Sequence, residues 1–303
     1  MRKSVSMDIT NNGSGREAAP SLPSTRENRR PEKRALPVLW RDHLRIGLGS
    51  KWLALAGYRR GLRPALAHKE IIAVDSADGP VSWQATVAAL PAALALIGRR
   101  RVDVTVVLSN HFVRYALLPW NAALKTDAEW LALARHRFSS VHGPAAEEWI
   151  IRISETGRGS PRIASAIDRA LLTALEEQLC GPASLVSVQP YLMAAFNRVR
   201  PLIGEASCWL VVEEPGRLTL ALIRSGVWRA IRIRRKDDLW RTALPEILQR
   251  ENALLTLEEP CAQVIICTHV PVDNGMHGAY EIRDLTLAPG AAASERELAM
   301  AIA

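Results

Sequence analysis

The most regular pattern of apolar and polar positions lies between Ser207 and Arg235, in the stretch SCWLVVEEPGRLTLALIRSGVWRAIRIRR. Two apolar runs, Trp209–Val212 and Arg217–Ile223, have the length of strands, and Val227–Arg235 alternates between apolar and basic side chains. Turn-forming Pro-Gly and Ser-Gly pairs separate the three runs. The pattern therefore predicts a three-stranded meander.

An earlier segment repeats this pattern. Leu44–Ala65 aligns without a gap over Trp209–Ala230 when it is shifted by 165 positions, and Gly61 then coincides with Gly226. Each copy is followed by a helical stretch and then a buried strand: Trp83–Ile97 and Val102–Leu108, then Leu239–Leu254 and Gln263–Thr268. We infer a duplicated strand-strand-strand-helix-strand unit, although unrelated hairpins with glycine turns would share part of this pattern.

Further elements are predicted between and after the two copies. The helix Trp83–Ile97 is apolar on nearly all sides, which indicates burial, and Pro91 is expected to bend or divide it. The remaining predicted elements are strand Asn110–Trp120, a helix capped by Asp127 and running through His136 or beyond, strands Trp149–Ser154 and Arg162–Ile167, helix Arg169–Leu179, strand Leu185–Val188, a helix from near Pro190 to Ile203, and strand Glu281–Leu287.

These elements predict an α/β chain with four parts. Residues 1–36 form a disordered basic tail, since they contain almost no large apolar side chain. A first lobe covers 37–200 and carries an inserted subdomain at about 110–185, and a second lobe covers 201–290. Residues 291–303 are an Ala-rich C-terminal tail, predicted to be a frayed helix.

The net charge of +8 changes this interpretation little, because the excess of basic residues is confined to parts of the chain. Residues 1–41 hold nine Lys/Arg and four Asp/Glu, whereas residues 237–303 hold four Lys/Arg and eleven Asp/Glu. Strong overall basicity would indicate nucleic-acid binding. Here the scattered arginines are typical of solvated sheet faces, so a nucleic-acid-binding protein is only an alternative.

The sequence indicates a cytoplasmic protein without a metal site. No apolar run approaches the roughly 20 residues that cross a bilayer, and the N-terminus is too polar for a signal peptide. Four cysteines, Cys180, Cys208, Cys261 and Cys267, lie in or beside apolar segments without zinc-ligand spacing. They are predicted to be reduced core residues.

The two copies with an insertion in the first resemble the duplicated actin-like (ribonuclease-H-like) architecture of actin, Hsp70 and sugar kinases. Within it, VVLSNHFVRYALLPW, RIASAID before a helix, and SLVSVQPYLMAAFNRV before the second meander are similar to segments of PilM and GspL-like proteins. Those proteins belong to inner-membrane platforms of type IV pili and type II secretion. The resemblance covers roughly Leu44 to Leu287 and contains no diagnostic motif.

In actin-like ATPases the first hairpin of each lobe wraps the nucleotide phosphates. The first hairpin here offers Gly47, Gly49, Ser50 and Lys51, whose glycines permit close approach and whose side chains could donate to phosphate. Gly47 replaces the usual acidic residue. A simple hairpin turn is the favoured interpretation, and ATP binding stays open.

The second hairpin departs further from the ATPase pattern. It reads Glu213-Glu214-Pro215-Gly216-Arg217, where proline removes a backbone donor and two carboxylates would repel a triphosphate. Magnesium-dependent hydrolysis is therefore expected to be lost. Paired carboxylates, Glu213-Glu214 among them, are predicted to be solvated. Ser109-Asn110-His111 and Cys267-Thr268-His269 are predicted to be strand ends.

The resemblance implies a non-catalytic scaffold without a cofactor, peripheral to a bacterial inner membrane. Its partners would be platform membrane proteins and a secretion or pilus ATPase, with a homodimer left open and membrane contact made through partners. No nucleic acid is expected. The alternatives are an actin-like protein that binds or hydrolyses ATP and a basic nucleic-acid-binding protein.

Overall fold

The computed structural model describes residues 41–61, 65–75, 82–97, 102–181, 183–255, 261–268, 275–286 and 297–302. The predicted basic tail, residues 1–36, lies outside this part of the chain, as does His269.

The first meander forms three strands of a five-stranded sheet. The sheet has the order β3-β2-β1-β4-β8, in which β1, β2 and β3 are antiparallel and β4 and β8 run parallel to β1. Its strands are β1 (Asp42–Leu48), β2 (Trp52–Arg59), β3 (Ala65–Ala73), β4 (Val102–Leu108) and β8 (Ala183–Pro190). The parallel strand β4 has the predicted bounds.

The second meander begins a sheet with the same order. It runs β11-β10-β9-β12-β14, with the short strand β13 added at the edge. Its strands are β9 (Cys208–Glu214), β10 (Arg217–Arg224), β11 (Val227–Arg235), β12 (Gln263–Thr268), β13 (Gly275–His277) and β14 (Tyr280–Thr286). Strands β2 and β10 keep the predicted spacing of 165 positions, and the shared strand order confirms the duplication. Strand β13 was not predicted, because three residues are too few to show alternation.

A third sheet lies between β4 and β8 in the chain. It has the order β5-β7-β6 and is covered by helix α3. Its elements are β5 (Arg114–Leu118), α3 (Asp127–His142), a 3₁₀ helix (Gly143–Glu148), β6 (Trp149–Ile153) and β7 (Arg162–Asp168). Phe138 and Trp130 fill its core. This sheet is an insertion in the first copy, and the limits 110 and 185 stay a prediction.

Helix α3 begins one residue away from the predicted cap. The N-cap is Thr126, not Asp127: its hydroxyl accepts from the Glu129 amide, and the Glu129 carboxylate accepts from the Thr126 amide at 2.8 Å. This reciprocal capping box satisfies backbone donors that a cap at Asp127 would leave free.

The first helical stretch is divided, as Pro91 predicted, but it is not buried on all sides. Helix α1 (Gln84–Ala88) and helix α2 (Leu90–Ile97) meet at Ala89. Val87, Leu90 and Ala93 face the core, whereas Ala92 is exposed. One side of this layer therefore remains in solvent.

One helix joins the cores of the two lobes. The remaining helices are α4 (Arg169–Gln178), α5 (Tyr191–Ile203) and α6 (Trp240–Leu254). Helix α5 buries eight of its residues in a core that also contains Ala54 and Val107 of the first sheet and Leu210 of the second. The lobes therefore share one hydrophobic core through α5.

The chain end differs from the prediction of a frayed helix. Residues 291–296 lie outside the described residues, but helix α7 (Leu298–Ile302) packs against β1, β2 and α5. Leu298, Met300 and Ala301 are fully buried in the core around α5. This apolar face explains why the short helix is packed.

Three cysteines, Cys208, Cys261 and Cys267, are buried and free as predicted, whereas Cys180 is exposed just after α4. Within the described residues, no helix is long and apolar enough to span a membrane.

The capping box predicts the effect of two substitutions. Thr126→Ala should lower the free energy of unfolding by about 1 kcal/mol, because it leaves the Glu129 amide without its acceptor. Asp127→Ala removes an exposed first-turn charge and should cost only about 0.3–1 kcal/mol. Urea denaturation of both variants measures this, and a larger loss for Asp127→Ala would contradict the assignment.

Candidate functional site

The candidate site lies where the parallel strands of both lobes end. Ser109 and Asn110 follow β4, Glu213 and Glu214 end β9, and Thr268 ends β12. Carboxyl ends of parallel strands are the usual position of ligand sites in open α/β sheets. The expectation that Glu213-Glu214 is solvated is wrong: their exposed fractions are 6% and 2%.

Glu214 connects the two lobes directly. The Ser109 hydroxyl donates to Glu214 Oε2 at 2.5 Å, and the Asn110 amide donates to the same oxygen at 3.2 Å. Burial raises the pKa of Glu214 to about 7, against the opposing effect of these hydrogen bonds and of Arg217. A carboxylate of one lobe is therefore held by the strand end of the other.

Two further hydrogen bonds close the same junction. Arg217 Nη1 donates to the Asn110 carbonyl at 2.7 Å, and His111 Nε2 donates to the Pro215 carbonyl at 3.1 Å. Burial lowers the pKa of His111, and the charge of Arg217 adds to this effect. The β9–β10 hairpin is thus fastened to the first lobe on both sides of Glu214.

The Asn110 side chain is also fixed. Its Oδ1 accepts from the Tyr115 hydroxyl at 2.6 Å and from the Leu192 amide at 3.2 Å. Asn110 therefore links the inserted subdomain, helix α5 and the second hairpin. Buried networks of this kind rigidify the groups that they connect.

The Glu213 carboxylate faces other residues of its own lobe, the second, and these compensate its negative charge. Lys236 Nζ and Thr268 Oγ1 donate to its carboxylate at 2.5 and 2.6 Å. Arg241 lies 3.9 Å from Glu213 and 3.1 Å from Asp284. Glu213 is therefore buried among basic and hydroxyl partners: Lys236 directly after β11, Arg241 of α6 and Thr268 of β12.

The predicted phosphate-contacting residues lie at the first hairpin. The Gly49 amide donates to the Trp52 carbonyl at 3.0 Å, and the Gly49 carbonyl accepts from Thr86 Oγ1 at 3.0 Å. Both polar backbone groups of Gly49 are thus used within the protein. Ser50 is half-buried and Lys51 is exposed. Phosphate contact by Gly47, Gly49, Ser50 and Lys51 stays a prediction.

Side chains cover both glycines of this hairpin. A Cβ on Gly49 would lie 2.2 Å from Cε2 of Trp52, and a Cβ on Gly47 would lie 3.2 Å from the Ala301 amide nitrogen and from Met300 Cβ. The glycines therefore make room for the Trp52 indole and for helix α7.

Sequence reasoning identified Ser109-Asn110-His111 as a strand end, which is confirmed, but missed its partners. Thr268, Arg217, Lys236 and Arg241 were not singled out as site residues. A signal was present: polar residues directly follow two buried strands that the duplication places at corresponding positions.

The described residues suggest no metal centre. Among them, no group of three or more His, Cys, Asp or Glu side chains is placed to hold an ion. The carboxylates Glu213 and Asp284 share Arg241 as a counterion instead.

No protein-family model matches the sequence, and no curated protein matches it either. A solved PilM-PilN type IV pilus biogenesis complex is similar, with 17% identity, a TM-score of 0.53 and coverage of 74% of this chain and 80% of that chain. The cytoplasmic domain of EpsL, an inner-membrane component of the type II secretion system of Vibrio cholerae, is similar with 11% identity, a TM-score of 0.51 and coverage of 86% and 94%.

A Bacteroides thetaiotaomicron protein described as having an actin-like ATPase fold and unknown function is more distant, with 13% identity, a TM-score of 0.48 and coverage of 76% and 83%. The likeness to the first two structures confirms the predicted fold: the chain has the duplicated actin-like architecture with an insertion in its first half.

The raised pKa of Glu214 predicts a pH-dependent stability. The folded state binds a proton near pH 7 and the unfolded state only near 4.5, so stability from this group should rise as pH falls through 7 and level off below 4.5. Glu214→Gln should therefore be more stable relative to the wild type at pH 8 than at pH 5, by up to about 3 kcal/mol.

Urea denaturation at both pH values measures this difference. The control Glu147→Gln removes an exposed carboxylate and should show little change between the two pH values. The same change in stability between the two pH values for Glu214→Gln and Glu147→Gln would contradict a buried, proton-binding Glu214.

The packing at Gly49 predicts a second effect. Gly49→Ala should destabilise the fold by about 1–3 kcal/mol, because the added methyl group overlaps the Trp52 ring. Gly157→Ala is the matched control, since nothing lies within 4 Å of a Cβ there. Thermal unfolding compares the two variants, and unchanged stability of Gly49→Ala would show that the ring is not held against this loop.

Proposed function

We propose that this protein is a non-catalytic scaffold of the inner-membrane platform of a type IV pilus or a type II secretion system. The observation that carries the proposal is the junction between the lobes, where Glu214 binds Ser109 and Asn110 instead of facing an open cleft. A scaffold needs a fixed shape and not a turnover site.

The interior of the cleft supports the non-catalytic part of this proposal. Phosphoryl transfer depends on donors and metal ions directed at the phosphate oxygens. Here the Gly49 amide donates to Trp52, and the Asn110 amide and the Arg217 guanidinium donate within the lobe junction. Glu214 also brings an acidic group to this position, which disfavours a triphosphate.

The platform part of the proposal is supported by the fold. The two similar solved structures are described as a PilM-PilN pilus biogenesis complex and as the cytoplasmic domain of a type II secretion component. We infer by analogy that this chain acts at the cytoplasmic side of an inner membrane. Its partners would be platform membrane proteins and the ATPase of the same system, and contact with the membrane would be made through them.

Nucleotide binding provides one test. A ligand that binds only the native state raises its stability by about 2.7 kcal/mol at a hundredfold excess over its dissociation constant. We expect no magnesium-dependent shift of the melting temperature with ATP or ADP. A clear shift, with turnover that Lys51→Ala abolishes, would instead support the alternative of an active actin-like ATPase.

Loss of the protein provides a second test. Deleting its gene should abolish pilus assembly or type II secretion, and a copy carrying Lys51→Ala should restore it, since Lys51 has no role in the proposal. Tagged protein should recover integral inner-membrane proteins of that system. Normal piliation and normal secretion in the deletion strain would contradict the platform function.

A further inference from the structure

A pocket of about 210 Å³ lies between the inserted subdomain and the second lobe. Its walls come from β5 (Tyr115–Leu117), the last turns of α3 (Arg137–His142) and β11 (Arg229–Arg232). It is separate from the lobe junction at Glu214, although Tyr115 touches both. Neither the fold nor the proposed scaffold function assigns it a ligand.

The charged side chains that line this pocket are all basic. Arg137, Arg229 and Arg232 line it together with His142, and none of the described lining residues is acidic. Arg232 is compensated by Glu251 at 3.2 Å. The guanidinium groups of Arg137 and Arg229 make no hydrogen bond or ion pair with any described residue. Two arginines therefore keep their donors available for an external acceptor.

Burial and nearby charge both affect the histidine at the rim. Desolvation lowers the pKa of His142, and the positive charge of Arg114 lowers it further. The His142 ring also packs on Trp149 with 5.0 Å between ring centroids. His142 is exposed and lies beside the two free arginines in the lining of the pocket.

Apolar side chains also line the pocket beside the arginines. Leu117, Phe138 and Ile231 contribute to its lining, and Val141 at its edge is 64% exposed. An exposed large apolar side chain beside a basic pocket indicates a binding partner that carries both acidic and apolar groups. Its volume suits one or two side chains, and two free arginines are fewer than the extended basic stripe that nucleic-acid backbones require.

We propose that this pocket binds an acidic peptide segment of a partner protein, with carboxylates on Arg137 and Arg229 and an apolar side chain against Phe138 and Val141. Bidentate pairing with carboxylates is the interaction for which arginine is best suited. The proposal deepens the scaffold function and rests on it for the identity of the ligand as a protein segment.

Fluorescence anisotropy with a short labelled peptide of alternating glutamate and leucine tests the site. We expect this probe to bind, a lysine-leucine peptide not to bind, and Arg137→Glu or Arg229→Glu to weaken binding by about tenfold or more. Arg135→Glu on the same helix and Arg235→Glu on the same strand are matched controls, since both are exposed and neither lines the pocket. Both should change binding less than about twofold.

Three outcomes would overturn the proposal: no binding of the acidic probe, an equal loss in pocket and control variants, or displacement of the probe by single-stranded DNA at equal charge. Melting curves of each variant show whether it is folded. Capture of integral platform proteins by a folded Arg137→Glu variant at the wild-type level would contradict the pocket while leaving the scaffold function intact. Failure of the wild-type protein to capture any integral platform protein would contradict the scaffold function itself.

Discussion

The buried carboxylate of Glu214 determines how the two lobes are held together. Removing a carboxylate from water is costly unless hydrogen bonds or charges compensate it. Here both hydrogen-bond donors to Glu214, the Ser109 hydroxyl and the Asn110 amide, come from the opposite lobe. The bond to Ser109 joins residues 105 positions apart in the sequence. Arg217 and His111 strengthen the same junction, and α5 supplies a continuous apolar core behind it. Hydrogen bonds and burial thus act together to favour one arrangement of the lobes.

This arrangement bears on nucleotide binding, which the resemblance to actin-like ATPases would imply. In an actin-like ATPase the two hairpins face a nucleotide across an accessible cleft. Here the second hairpin binds the first lobe, and Trp52 and helix α7 pack on the glycines of the first hairpin. These two features involve different residues and different lobes. Both features agree with the proposed scaffold function, in which the surfaces of the protein and not its cleft would carry the role.

Much of the fold could be predicted because it depends on local patterns. Alternation and glycine turns predicted both meanders, and the mainly apolar run at Val102–Leu108 predicted β4 with its observed bounds. The burial of Glu213 and Glu214 could not be predicted in the same way, since their neighbours Pro215 and Gly216 are typical of an exposed turn. Their partners come from distant elements, and no local pattern records such pairing.

The chain end and the site residues show the same limit. Helix α7 is only five residues long, and its burial depends on a surface formed by β1, β2 and α5. The glycines that resemble a phosphate loop also make room for the Trp52 ring, a contact that no local pattern records. The sequence therefore located both hairpins, but the contacts that cover them come from distant elements and could not be predicted from it.

The distance between the lobes in solution tests the central claim most directly. One spin label would be placed on the exposed Cys180 of the first lobe and a second on Arg235→Cys in the second lobe, since the other described cysteines are buried. The account predicts one narrow distance distribution that magnesium and ATP leave unchanged. A broad distribution, or a shift on adding magnesium and ATP, would show that the lobes open and would contradict a cleft closed by Glu214.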